Sequence, residues 1–329
     1  MKLVPVRLEA RWLMLPGNLR GALWMVASGL GFTVMAVAIK FLGSRLDSFQ
    51  IAFFRCLIGF VAILPFVAGY GPAALKTRSL GIHALRGLFG LVAMFASYYA
   101  IARIPLASYT ALSFTKPLFS TVLAVIVLQE VVRWRRWSAT AVGFLGVLVM
   151  VRPGAGTFDW AAIFALVDSL SIAFLVTLVK RLPPGETPLG MMFYFGIFSS
   201  AAALPPALWV WQTPGSSEWA LLIAIGVLGA LAQSFWIRAY RAGEASAVAP
   251  FDYLRLLFAG IAGFLVFAES PDLWTLVGAA VIVASAVYIA RREARQARAV
   301  RAAARLETAA AAPGVTAESM PVRIEADSR

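Results

Sequence analysis

The sequence predicts an all-α integral membrane protein of ten transmembrane helices, arranged as two inverted five-helix repeats. Three observations carry this prediction. The 329 residues are 61% hydrophobic and 14% charged, with a mean hydropathy of +0.82, whereas soluble domains hold about 25% charged residues. The apolar residues come in blocks of membrane-spanning length; a hydrocarbon core about 30 Å thick needs roughly 20 of them in helical form. The second half of the chain also repeats the order of landmarks in the first.

Taken in order, residues 1–19 contain Lys2, Arg7, Glu9 and Arg11 and no unbroken apolar run of signal-peptide length, so they read as a cytosolic lead-in. Ten spans follow at roughly 20–41, 49–70, 81–102, 106–129, 137–152, 158–179, 189–211, 218–238, 246–268 and 272–290. The connections are short and rich in glycine, proline and charge, as in Gly43–Asp47, Gly71–Ser79, Pro153–Thr157, Pro183–Pro188 and Thr213–Ser217. None is long enough for a soluble domain. Charges crowd Gln129–Arg136 and separate the fourth span from the fifth, which is the shortest. Residues 20–152 form the first repeat and 153–290 the second. In the basic tail, 291–329, arginines at 291, 292, 295, 298, 301 and 305 continue the last helix among alanines, a composition suited to anionic headgroups. Beyond Glu307 the composition predicts disorder.

Charge distribution sets the orientation. Even-numbered connections hold Lys76, Arg78, Arg133, Arg135, Arg136, Lys180, Arg181, Arg238 and Arg241, nine in all, against Arg45, Arg103 and Arg152 in the odd-numbered ones. Lysine and arginine favour the cytosolic side, so both termini are expected inside, and the net charge of +13 is a topology signal rather than a nucleic-acid footprint. Cys56 is the sole cysteine and His83 the sole histidine, which excludes an intrachain disulfide and a His/Cys metal cluster. No cofactor is expected. There is no GxxxxGK[ST] run to hold ATP, so any transport is driven by a gradient or by exchange.

The repeat is legible in matched landmarks. Arg103-Ile-Pro-Leu-Ala-Ser108 resembles Arg241-Ala-Gly-Glu-Ala-Ser246; Gln129-Glu130 precedes Trp137 as Ala268-Glu269 precedes Trp274; Leu64-Pro65 matches Leu204-Pro205. An odd number of helices per repeat makes the second copy enter from the opposite side. Inverted repeats are a recurring plan of secondary carriers, with the substrate at their midplane interface. Gly143, Gly146, Gly226, Gly229, Gly260 and Gly263 are expected to let helices approach closely.

The fourth span carries a lysine and a proline, Lys116-Pro117, at its centre. An ammonium group at that depth costs on the order of 2.5–3.5 kcal/mol, and proline lacks an N–H and crowds the carbonyl of Ser113. Such a helix lines a polar hollow. Asp168, Asp252 and Arg255 are the other mid-span charges; Lys116 and Arg255 fall one residue apart in the repeat alignment, on facing helices at similar depth. Internal pairing of Lys116 with Asp168, and of Asp252 with Arg255 one turn away, is the structural alternative. The functional expectation is that Lys116 and Arg255 bind an anionic or zwitterionic group, the arginine as a fork and the lysine as a point charge. Tyr98, Tyr99, Tyr109, Ser113, Thr115, Gln233, Ser234, Trp236, Asp252 and Tyr253 would supply hydrogen bonds and ring faces. Asp168 is the candidate proton-coupling group. Arg55, near the outer end of the second span, is expected to snorkel.

These landmarks, with Phe53-Phe54-Arg55 opening the second span, Leu85-Arg86-Gly87 opening the third and Ala102–Ser108 leading into the fourth, resemble the drug/metabolite transporter superfamily, specifically its EamA-type members, over about residues 20–290. The stretch from Arg86 to Glu130 is similar to members that carry S-adenosylmethionine or other nucleotide-like metabolites. The resemblance implies a ten-helix carrier of a small metabolite with a central cavity and alternating access, in the inner membrane if the source is bacterial; a monomer or homodimer is expected, and no nucleic-acid partner. Two departures stand out: Gln129 replaces glycine before Glu130, and Ala268 does so before Glu269. Helix-end packing should feel those changes more than recognition. An intramembrane enzyme is the rival class, yet no nucleophile, base and metal set converges in the sequence. A membrane sensor or scaffold would explain the helices but not the midplane charges.

Overall fold

The computed structural model describes residues 15–71, 75–127, 129, 134–152, 159–179 and 187–310. All regular elements among these are helical: α1 (Gly17–Leu42), α2 (Ser48–Tyr70), α3 (Leu80–Arg103), α4 (Leu106–Ser113), α5 (Lys116–Ile126), α6 (Trp134–Val151), α7 (Trp160–Val179), α8 (Pro188–Trp209), α9 (Ser216–Ala242), α10 (Ala245–Val248), a 3₁₀ turn (Ala249–Tyr253), α11 (Leu254–Phe267) and α12 (Leu273–Ala310). Nine stretches among the described residues are long and apolar enough to cross a membrane, and Trp137–Val151 is a shorter tenth. The protein is therefore a multi-pass membrane protein. Large apolar side chains such as Leu145, Phe264 and Leu265 stand exposed, which a lipid surround permits and water does not.

Local chemistry sets the helix starts. The Asp47 carboxylate accepts from the Phe49 N–H at 2.9 Å to cap α2, and the Thr187 hydroxyl accepts from the Gly190 N–H to cap α8. The helix of α9 runs to Ala242, so Arg238 and Arg241 lie on its final turns rather than in a connection, where cations favour the helix dipole. Residues 291–310, a unit of their own, are helical; the helix passes Glu307, and the expected disorder lies otherwise at 311–329, outside the described residues. Glu130, Lys180 and Arg181 also lie outside them.

Two spans expected as continuous helices are broken. In the fourth, Pro117 cannot support a continuous ladder, and the N–H groups of Phe114 and Thr115 bond to Ala111 and Leu112, three residues back instead of four. The Ser113 and Thr115 hydroxyls bond to the Thr110 and Leu112 carbonyls at 2.7 Å each, closing the turn. In the ninth, the 3₁₀ turn holding Pro250 separates α10 from α11. The breaks occupy equivalent places in the two halves.

Packing follows the same exchange. If α1 pairs with α7, α2 with α8, α3 with α9, α5 with α11 and α6 with α12, then the α1–α9 contact maps onto α7–α3, α5–α7 onto α11–α1, and α3–α8 onto α9–α2. Contacts between equivalent helices are reciprocal. A Cβ on Gly146 would stand 3.1 Å from the Gly278 carbonyl oxygen, and one on Gly278 would stand 2.7 Å from that of Gly146. Such swapping is what an axis relating two inverted repeats requires. Gly143 and Gly226 also meet neighbours closely, at Leu118 and Ile58. Gly260 does not: nothing lies within 4 Å of its position, because it sits on the open face of α11 with Ile261 and Phe264.

The two departures from the glycine pattern now have a physical meaning. Gln129 and Ala268 both have φ of 54°, in the left-handed region, where a Cβ costs about 1–2 kcal/mol. Ala268→Gly is expected to stabilise the protein by roughly 1 kcal/mol, read as a higher denaturation midpoint of the detergent-solubilised protein.

Candidate functional site

The breaks place two half-helix N-termini, those of α5 and α11, in mid-membrane, with Lys116 in the first turn of one and Arg255 in the first turn of the other. The partial positive charge of both helix N-termini adds to that of the cations, which disfavours them alone and favours an anion beside them. Asp168 stands on the middle of α7 and is 4% exposed. Its Oδ2 lies 3.9 Å from the Lys116 Nζ and accepts from the Tyr109 hydroxyl at 3.2 Å. The pair matches the structural alternative, but it does not enclose the lysine, whose side chain remains 31% exposed. The ammonium group is thus both paired and partly accessible.

Arg255 departs from the pairing expected with Asp252. No ion pair joins them among the described residues; the Arg255 Nη2 donates instead to the Ser113 hydroxyl at 2.9 Å. Its guanidinium lies 5.7 Å from the Phe32 ring centre and 5.8 Å from that of Phe114, within cation–π range. Phe114 in turn packs on Tyr253. The guanidinium is taken up by groups on other helices, the Ser113 hydroxyl and the Phe32 and Phe114 rings. Lys116 lies within electrostatic range of Asp168, Arg255 and Asp252, so the charged groups of both halves converge.

The other expected residues divide. Tyr98 is 3% exposed and hydrogen-bonds with Arg55, with Asp168 also within electrostatic range. Tyr109 and Ser113 join the charged group directly. Thr115 is spent on the backbone of the break, and the Ser234 hydroxyl likewise returns to the Leu231 carbonyl. Tyr99 packs on Phe164 beneath the Arg103 guanidinium, 3.5 Å from its ring centre, toward the outer end of α3. Gln233 is exposed one turn beyond Gly229 on α9, and Trp236 packs edge-on against Tyr240. Phe32 and Ser169, whose hydroxyl donates to the Leu112 carbonyl at 3.2 Å, were not legible as members; an aromatic and a serine inside apolar blocks give no periodic signal.

Arg55 overturns its expected role. Its Nη1 lies 3.8 Å from the position of a Cβ on Gly59, one turn deeper along α2, and its Nη2 lies 2.9 Å from the same point on Gly229, midway along α9. The guanidinium therefore points into the bundle, because two glycines leave it room, and does not snorkel outward.

A second polar node closes the face of the odd-numbered connections. Lys40 pairs with Glu269 and donates to the Ile104 carbonyl at 2.6 Å, while Glu269 accepts from the Leu106 N–H at 2.8 Å. Gly263 leaves space for the Glu269 carboxylate. Arg45 with Glu218, Arg152 with Asp272, and Gln50 with the backbone of Gln212 also link the halves on this face. Hydrogen bonds from Thr275, and then Arg152, hold the Asp272 carboxyl below its usual range, so that link stays ionised throughout neutral pH. No group of acidic, cysteine or histidine side chains among the described residues is arranged to hold a metal.

Comparison with known proteins agrees with this architecture. Two consecutive segments, residues 19–152 and 159–291, match the EamA-like transporter family. The chain is 37% identical over 271 residues to the S-adenosylmethionine uptake transporter of Rickettsia prowazekii (strain Madrid E), covering 82% of this chain and 92% of that protein. It is 34% identical over 285 residues to the riboflavin transporter of Vibrio cholerae serotype O1, covering 85% and 96%. A protein of known crystal structure shares the fold at a TM-score of 0.54 and 19% identity, over 84% of this chain and 98% of the other. The chain thus belongs to the EamA-like transporter family, as a multi-pass membrane transporter and not an enzyme.

Proposed function

We propose that this protein carries a small nucleotide-like metabolite bearing both anionic and cationic groups, of the S-adenosylmethionine class, across a bacterial inner membrane, with both termini in the cytosol. The convergence of Lys116, Asp168 and Arg255 at the two helix breaks carries this reading. Charged groups at this depth are costly and mark solute routes. The cations face the anionic part of the solute, Asp168 faces a cationic part or a coupling proton, and Phe32, Phe114 and Tyr253 offer ring surfaces for a base. Similarity to adenosylmethionine and riboflavin carriers supports a solute with a flat heterocycle; the charged belt favours the first, because riboflavin is uncharged at neutral pH.

Movement follows from the two halves. The ion pairs of the odd-connection face close one side of the hollow, and rocking of one half-bundle against the other would exchange that closure for one on the opposite face. Purified protein in liposomes preloaded with unlabelled S-adenosylmethionine is expected to accumulate the labelled compound by counterflow, with riboflavin competing weakly or not at all. Absence of counterflow for adenosylmethionine, with riboflavin exchanged instead, rejects the charged substrate class.

A further inference from the structure

Three cations point into the interior of the bundle, and they are not equivalent. Lys116 has Asp168 beside it. Arg255 has the Ser113 hydroxyl, two ring faces and Asp252 three residues earlier. Arg55 has no carboxylate: among the described residues its recorded neighbours are the Tyr98 hydroxyl, Cys56, Gly59 and Gly229. Arg55 is half-buried, and a partly desolvated guanidinium without an anionic partner is disfavoured until one binds. Nothing prevents it from snorkelling back to the outer end of α2 except its packing, and that packing is specific. Gly59 and Gly229 keep two sides open, and Met35 of α1 lies against the same Gly229 position at 3.2 Å. Met35 is one turn along α1 from Phe32, which lies under Arg255. Arg55 is thus linked through Tyr98 to the Asp168 group, and through Met35 to the turn of α1 that carries Phe32.

We infer that Arg55 is a specificity-determining residue that takes the carboxylate of the transported metabolite jointly with Lys116, with Tyr98 as its hydroxyl neighbour, while the rings around Arg255 hold the ring system. This assignment rests on the substrate class proposed above and adds which cations read the carboxylate. Gly229 is a positioning residue: a Cβ there would land 2.9 Å from the Arg55 Nη2 and displace the guanidinium without altering its charge.

The test uses full-length protein in liposomes and two solutes, S-adenosylmethionine and its decarboxylated analogue, which keeps the base, the sulfonium and an ammonium group. The unmodified protein is expected to prefer the carboxylate form by roughly tenfold or more, the scale of one charge-assisted hydrogen-bonded pair. Arg55→Ala should abolish that preference while still moving the analogue, and Arg55→Lys should keep part of it. Gly229→Ala, which needs no loss of charge, should also reduce the preference and serves if Arg55→Ala does not fold. An unchanged preference ratio in these variants overturns the assignment and leaves the substrate class standing. Failure of the unmodified protein to exchange either solute rejects the substrate class, and this assignment with it.

Discussion

Lys116→Met is expected to reduce counterflow by roughly 10- to 100-fold, the scale of a lost contact to a charged group, while the protein still reaches the membrane. The reason lies in the division of labour at the fourth-span break. Lys116 lies 3.9 Å from Asp168 and stays partly open to the hollow, so it is placed to exchange its protein partner for a solute anion. Were it only half of a structural pair, removing both charges together would repair the defect, because replacing a buried pair by apolar or neutral groups is often neutral for stability. The double variant Lys116→Met, Asp168→Asn therefore separates two roles. Its denaturation midpoint should recover towards that of the unmodified protein relative to Lys116→Met alone, and its counterflow should remain low. Recovery of both would make the pair purely structural. Lys116→Arg should keep a measurable fraction of activity, since charge is retained at altered geometry.

Glu269→Gln is expected to have the second largest effect, this time on stability and on closure of one face. The Lys40 and Glu269 side chains are only 13% and 14% exposed, and the carboxylate also receives the Leu106 N–H at the start of α4. Removing the negative charge leaves the lysine with the Ile104 carbonyl, the Phe267 ring and a neutral amide, so a loss of about 2–4 kcal/mol is expected. The node joins the end of α1, the α3–α4 connection and the end of α11, which come from both halves. Its loss should also increase labelling of cysteines introduced on the odd-connection face. The exchanged pair Lys40→Glu, Glu269→Lys restores the attraction but not the bond to Leu106, so partial recovery of the midpoint is the expected result of that double variant. Full stability in Glu269→Gln would show that the node holds nothing together.

Much of this fold was legible because its signals are local. Blocks of apolar residues gave the ten spans, the odd number of helices in each half gave the inversion, and Lys116-Pro117 marked the place where the fourth span breaks. The matching break in the ninth span was missed, since Pro250 lies close to the start of its apolar block and reads equally well as a first-turn proline. What remained hidden depends on long-range packing. Lys40 lies at the end of the first apolar block, and nothing local announces a partner as distant as Glu269. Arg55 looked like a snorkelling arginine because its depth along α2 is visible in sequence while its direction is not. Its direction is set by Gly59 and Gly229, and a glycine on a distant helix carries no address. The Asp252–Arg255 pair failed for a related reason: the partners that draw the guanidinium away, Ser113, Phe32 and Phe114, are distant in sequence.

The premise beneath all of this is that residue 116 presents a positive charge to a water-accessible hollow in mid-membrane. Chemical rescue tests it most directly. Cys56 is the sole native cysteine and is buried, so a Cys56→Ala background carrying Lys116→Cys offers a single reactive thiol. Counterflow should be low in this variant, recover substantially after treatment with aminoethyl methanethiosulfonate, which rebuilds an ammonium side chain, and stay low after methyl methanethiosulfonate, which adds no charge. Counterflow equal to that of the Cys56→Ala protein before any treatment, or equal recovery with both reagents, would contradict a role for the charge.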